Sequence, residues 1–315
     1  MPGTATYIVY RDPAGGCRVH RTADNSDLPL PPGAPTEAAI QKALDLVDPS
    51  DKFSGGPGDV YVQAGRYDLS SAFDGFNIRS YTNLRLDGRA QLRVPHQYAG
   101  SVFRMLSDDG DHIAGVANSI IDGGRITEQV PPGAQPGARW TAFLLKGSAK
   151  NTLSGMQFNK VANTEVTLAG VGVSIEVDQL MGYVNSNTFE FMRMYNCRVF
   201  VSFTMADLPY STGIPIWANR FVDLQCNCNK EIRTEIGIRN VTGRQNIFDA
   251  VKVWDIQNGV PASGQTQPLT LQVSTEAEKT LIMDGILAGG FVDAQHVQDE
   301  SASTTVFPGS TTVVP

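Results

Sequence analysis

Two segments of this chain carry an acid, a base and an aromatic ring at matching offsets. NTFEFMRMY, from Asn187, has Glu190, Arg193 and Tyr195; NIFDAVKVW, from Asn246, has Asp249, Lys252 and Trp254. A third segment, NRFVDLQCN from Asn219, places Gln225 and Asn227 at the last two offsets and adds Asp223. Paired carboxylates are the groups that protonate and attack across a glycosidic bond. Aromatic rings lie flat on sugar faces, and guanidinium or amide groups hold hydroxyls or a carboxylate. Glu190, Asp249 and Asp223 are therefore the candidate catalytic residues, and Arg193, Tyr195, Gln225, Lys252 and Trp254 the candidate substrate-binding ones. The same residue types also build ion-pair ladders on solvated strand faces, so position has to separate the two.

The elements that position them are short repeated strands. NTLSGMQFN, from Asn151, aligns with the three segments above without gaps, and the four starts lie 36, 32 and 27 residues apart. Repeats of such length with variable insertions indicate a solenoid. Side chains alternate along a strand. Leu153, Phe189, Phe221 and Phe248 then form one inward column; Met156, Met192, Leu224 and Val251 form a second, and Phe158, Met194, Cys226 and Val253 a third. The outward columns are Ser154, Glu190, Val222, Asp249; Gln157, Arg193, Gln225, Lys252; and Asn159, Tyr195, Asn227, Trp254. Glu190 and Asp249 stand two repeats apart, roughly 9.6 Å at strand spacing, at the edge of the separation used in inverting hydrolysis. The leading asparagines stack as a structural ladder, and Asp223 sits at a bend. The insertion MADLPYSTGIPI, with Asp207 and Tyr210, is placed to wall the face and reach substrate.

Ahead of the repeats, TYIVYRD and CRVHRT flank a PAGG turn, a hairpin signal. A Pro-rich connector follows, and then a helix over 36–47, with Thr36 as N-cap and Ala39, Ile40, Ala43, Leu44 and Val47 as its apolar stripe. Next comes GDVYVQAGRYDLS. A helix leading into a G-D-V-Y-V-x-A-G-x-Y phrase resembles the opening of pectate-lyase-like β-helix proteins. That resemblance implies an all-β, single-stranded right-handed parallel β-helix whose helix caps the open end. NLRLDG and SIIDGG read as strands ending in Asp-Gly turns at Asp87 and Asp122. The tail QHVQDESASTTVFPGSTTVVP resembles the ending of inulin fructotransferases, which implies a fructan or furanoside substrate and trimeric assembly. Residues 1–35 are expected to form an N-terminal arm and connector, and 36–315 the β-helix domain.

Composition narrows the partners. The 315 residues carry a formal charge of -7 and no Lys/Arg block, which argues against nucleic acid. No apolar run approaches the ~20 residues that span a bilayer. Cys17, Cys197, Cys226 and Cys228 have neither a disulfide framework nor zinc spacing, and His20, His96, His112 and His296 are scattered, so neither metal nor cofactor is expected. The N-terminus shows no secretory signal, which leaves a soluble protein that is cytoplasmic, virion-borne or freed of a leader. The expectation is a homo-oligomeric enzyme that cleaves or rearranges glycosidic bonds of a poly- or oligosaccharide. The alternatives are a lyase acting on a uronate-containing glycan and a non-catalytic glycan-binding or tailspike-like module.

Overall fold

The computed structural model describes residues 5–47, 58–106, 119–147, 159–177, 184–205, 216–227, 234, 236–254, 269–278, 281–283, 286–287, 297–299 and 305–306. Alternating Val, Ile, Phe and Thr make these segments mostly β, in one sheet of 18 strands and another of ten. The chain visits the two sheets in turn. Ile120–Glu128 lies in the first and Thr141–Gly147 in the second; Lys160–Ala162 and Glu165–Thr167 return to the first, and Val171–Val177 to the second. Each return lands parallel beside the previous visit and in register. Val161, Phe189, Phe221 and Phe248 pair in succession on the first sheet, and Val173, Val201 and Ile238 on the second.

The N-terminal hairpin continues the first sheet. Tyr7–Arg11 pairs antiparallel with Cys17–Arg21, which pairs antiparallel with Ser26–Leu28. Tyr7–Arg11 also lies parallel to Gly58–Val62, so the hairpin covers what would be a bare sheet edge. The helix spans Thr36–Asp45 and buries Ala39, Ile40, Ala43 and Leu44. It packs on strands of both sheets, Tyr7–Arg11 and Cys17–Arg21 on one side and Phe76–Asn77 on the other. Glu37 accepts hydrogen bonds from the Ser70 backbone amide and hydroxyl, and Gln41 accepts one from the Asn77 amide. Thr36 is not the N-cap as expected. Pro35 holds that place in extended conformation without a side-chain bond, and Thr36 is the first helical residue. The ring of Pro35 fixes the turn into the helix, so a hydroxyl cap is not required.

The first member of the expected alignment is corrected. Residues 151–158 lie outside the described residues, and Lys160–Ala162, not the segment from Asn151, pairs with Thr188–Glu190. The repeat therefore starts at Asn159 and reads NKVANTEVT, eight residues later than expected. The inward columns begin with Val161, Thr164 and Val166, and the outward ones with Ala162, Glu165 and Thr167. What fixes this register is the asparagine ladder. Asn159, Asn187, Asn219 and Asn246 are all buried. The Nδ2 of each of the first three donates to the Oδ1 of the next, at 3.0, 3.0 and 3.2 Å. The Ser119 amide donates to Asn159 Oδ1, which extends the ladder one strand further.

Below the ladder the core is aromatic. Phe221 lies between Phe189 and Phe248 with centroids 5.1 and 4.8 Å away and planes 7° apart in both pairs. Phe203, from the second sheet, meets Phe221 edge-on at 5.8 Å.

The Asp-Gly pairs lie inside the strands Thr82–Val94 and Ile120–Glu128 rather than at strand ends. They are bends. Gly123 has φ +84°, and a Cβ there would fall 2.2 Å from the Leu86 carbonyl oxygen. Gly123→Ala is expected to cost about 2 kcal/mol or more, since left-handed strain alone is of order 1–3 kcal/mol. A thermal melt checks this, and an unchanged midpoint would refute the close approach. In the later repeats a non-glycine residue takes the same kind of bend: Asn163, Phe191, Asp223 and Ala250, with φ of 52, 52, 47 and 52°.

Candidate functional site

This row of bends positions the site. At three of them the chain turns through a left-handed residue whose amide donates to the next repeat: Asn163 to the Glu190 carbonyl (3.2 Å), Phe191 to Val222 (3.0 Å) and Asp223 to Asp249 (2.9 Å). The side chains at the bends therefore stack along one line, and a groove of about 390 Å³ runs beside it. Gly88 and Gly124 form one end of its lining; Arg125, Asn163, Thr164 and Glu165 follow, then Phe191 and Arg193, then Asp223 and Gln225. Five successive levels of the first sheet contribute.

Three of the expected site residues thus come together: Asp223, Arg193 and Gln225. Asp223 is at a bend, as its position predicts. Arg193 and Gln225 are direct neighbours across the parallel ladder, and Lys252 is next in the same column. Among the described residues neither Arg193 nor Lys252 forms an ion pair, and Asp223 has no cationic partner.

Glu190 and Asp249 occupy the expected column, in register through Val222. Neither lines the groove. Glu190 is one-fifth exposed and forms an ion pair with Lys160. Tyr195 and Trp254 flank Asn227 in the third column; the Trp254 side chain lies outside the description. Asp207 and Tyr210 also lie outside the described residues.

The sequence reading missed Glu165, Arg125, Asn163 and Phe191. The first three lie in or beside the repeat whose register was shifted by eight residues. Arg125 grips Glu165 at both oxygens, with Nε to Oε1 at 3.0 Å and Nη2 to Oε2 at 3.1 Å. Asn163 donates to Asp122 Oδ1 at 2.7 Å, and the Thr164 hydroxyl to the Gly123 carbonyl at 3.0 Å. Beside the Gly88 end, the Arg89 amide and the Tyr61 hydroxyl both donate to Asp87, and they hold its carboxyl below the usual carboxylate range.

Chemically, the groove offers a carboxylate and a guanidinium without ion-pair partners among the described residues, one clamped carboxylate, amides and an exposed ring. That set can hydrogen-bond several hydroxyls and move a proton at Asp223. Among the described residues no three His, Cys, Asp or Glu side chains converge as metal ligands. Nor is any described helix long and apolar enough to cross a membrane.

The chain matches no protein-family model, and no curated protein matches it. Among solved structures it is similar to the A-module of a mannuronan C-5 epimerase from Azotobacter vinelandii, at 13% identity over 90% of this chain and 96% of that one, with a TM-score of 0.29. A likeness that low carries no argument about activity.

Proposed function

We propose that the chain is a right-handed parallel β-helix that binds a poly- or oligosaccharide in this groove and cleaves or rearranges its glycosidic bonds. What carries the reading is the lining of the groove, in which a carboxylate and a guanidinium that form no ion pair among the described residues share one concave face with an exposed aromatic ring. A linear glycan suits a groove built from equivalent positions on stacked repeats. Its hydroxyls meet Gln225 and Asn163, and Arg193 takes a ring or carboxylate oxygen. Asp223 is the proton-transfer group in this scheme. Glu165, clamped by Arg125, accepts from hydroxyls and fixes the pose. Glu190 and Asp249 remain a second pair of carboxylates on the same sheet, Glu190 at the level of Phe191 and Asp249 one level beyond Asp223.

The test is product analysis on a panel of neutral fructan, neutral glucan and uronate-bearing polysaccharides. Hydrolysis or rearrangement without an unsaturated product is expected. Asp223→Asn should lower the rate at least about 100-fold, the usual scale for a lost general acid or base. Full activity in that variant would remove Asp223 from the mechanism.

One observation favours a second reading. Arg193 and Lys252 lie in one column without ion-pair partners among the described residues, as a lyase for uronate chains would require. Release of an ultraviolet-absorbing unsaturated sugar would establish that chemistry instead.

A further inference from the structure

Phe191 is the anomaly of the groove. It is 51% exposed, one of two large apolar side chains so exposed among the described residues. It also sits at φ +52°, in the left-handed region that disfavours bulky side chains. The equivalent bends above and below it are Asn163 and Asp223, the residue types that tolerate this conformation. The backbone asks the same of all three positions, since each donates its amide to the following repeat. Phenylalanine is therefore a poor local choice, and its ring recovers little by burial.

What the ring offers lies outside the core. It borders the groove between Asn163 and Asp223, with Arg193 two residues on and Gln225 beside that. An apolar platform ringed by hydrogen-bonding groups matches the two kinds of surface on a sugar ring, its flat C–H face and its hydroxyl rim. A lipid chain would leave these polar groups facing apolar surface.

We infer that Phe191 is a stacking platform for one sugar unit, kept in a strained backbone position because it binds substrate. Since the flanking bends carry Asn and Asp, the platform occurs once along these levels and sets the register in which a glycan lies against Asp223. The inference rests on the carbohydrate reading above and adds to it a specificity-determining residue.

Two variants test it, Phe191→Asn and Phe191→Trp, each measured for thermal midpoint and for retardation in native gels containing the same soluble polysaccharides. The Asn variant, relieved of left-handed strain, should melt at or above the wild-type temperature while binding about tenfold more weakly, a loss equivalent to ~1.4 kcal/mol. The Trp variant should retain binding. A lower melting temperature for Phe191→Asn would mean that the ring serves packing, and wild-type retardation in that variant would mean that the glycan does not touch it. Either result overturns the platform and leaves the groove reading standing. If no polysaccharide retards the wild-type protein, the groove reading falls and the platform with it.

Discussion

Asn219→Asp is expected to be among the most damaging single-atom-scale changes in this chain, at about 4 kcal/mol or more at neutral pH. Asn219 is fully buried in the middle of the ladder. Its Oδ1 accepts from both the amide and the Nδ2 of Asn187, at 3.2 and 3.0 Å. Its Nδ2 donates to Asn246 Oδ1 at 3.2 Å and to the Val184 carbonyl at 3.1 Å. A carboxylate keeps the first two bonds and destroys the last two, leaving an oxygen against two acceptors and a charge in the core. Unsatisfied buried groups cost about 1–3 kcal/mol each, and an unpaired charge more.

The sign of the pH dependence follows. Burial against acceptors raises the folded-state pKa of the introduced carboxyl above its unfolded value of about 3.9. The variant is therefore most stable below that value and loses stability as pH rises through the raised pKa. Its deficit to wild type, read as the shift in urea midpoint, should be larger at pH 7 than at pH 4. An equal deficit at both would show that the carboxyl reaches water. Asn219→Leu, which removes the pairing without the charge, should show no such trend.

Phe221→Ala is expected to cost about 4 kcal/mol, within the 3–5 kcal/mol typical of buried Phe truncation. Phe221 is the central ring of the stack and also the edge partner of Phe203, so its removal breaks three ring contacts and leaves a cavity spanning both sheets. Phe221→Leu keeps much of the volume and should cost less than half as much. Equal losses for the two would mean that the site collapses around alanine. On the β-helix reading proposed above, the unfolding of levels near Phe221 separates from that of the N-terminal end that carries the helix. Hydrogen exchange resolved along the chain would show the loss centred on the strands of Phe189, Phe221 and Phe248.

The same two residues show what the sequence reveals. Phe189, Phe221 and Phe248 could be read as one column because an aromatic recurs two residues after an asparagine in three segments. The segment preceding them could not. NTLSGMQFN and NKVANTEVT both begin with asparagine and alternate, and the first has the more apolar alternation. The choice between them was made by Asn159 Nδ2 reaching Asn187 Oδ1, a contact between residues 28 apart that no local pattern encodes. Glu165 and Asn163 were lost from the site with that register.

The groove shows the division most clearly. Arg193 and Gln225 were legible as chemistry because polar types repeat at their offset, and Asp223 because it falls at a bend between Phe221 and Leu224; alternation alone turned Arg193 and Gln225 to one face. Phe191 was legible only as one more apolar residue, since φ is a property of the folded backbone and exposure depends on neighbours from other levels. The ion pair between Lys160 and Glu190 was likewise invisible until register placed them side by side. Sequence by itself determined the period of the strands, the parity of each side chain and the chemical types available. The tertiary structure alone decided which levels stack together, because a buried asparagine needs its partner on the next level and those partners lie 27–32 residues away in the chain. That register determines which carboxylates are clamped and which stand open in the groove.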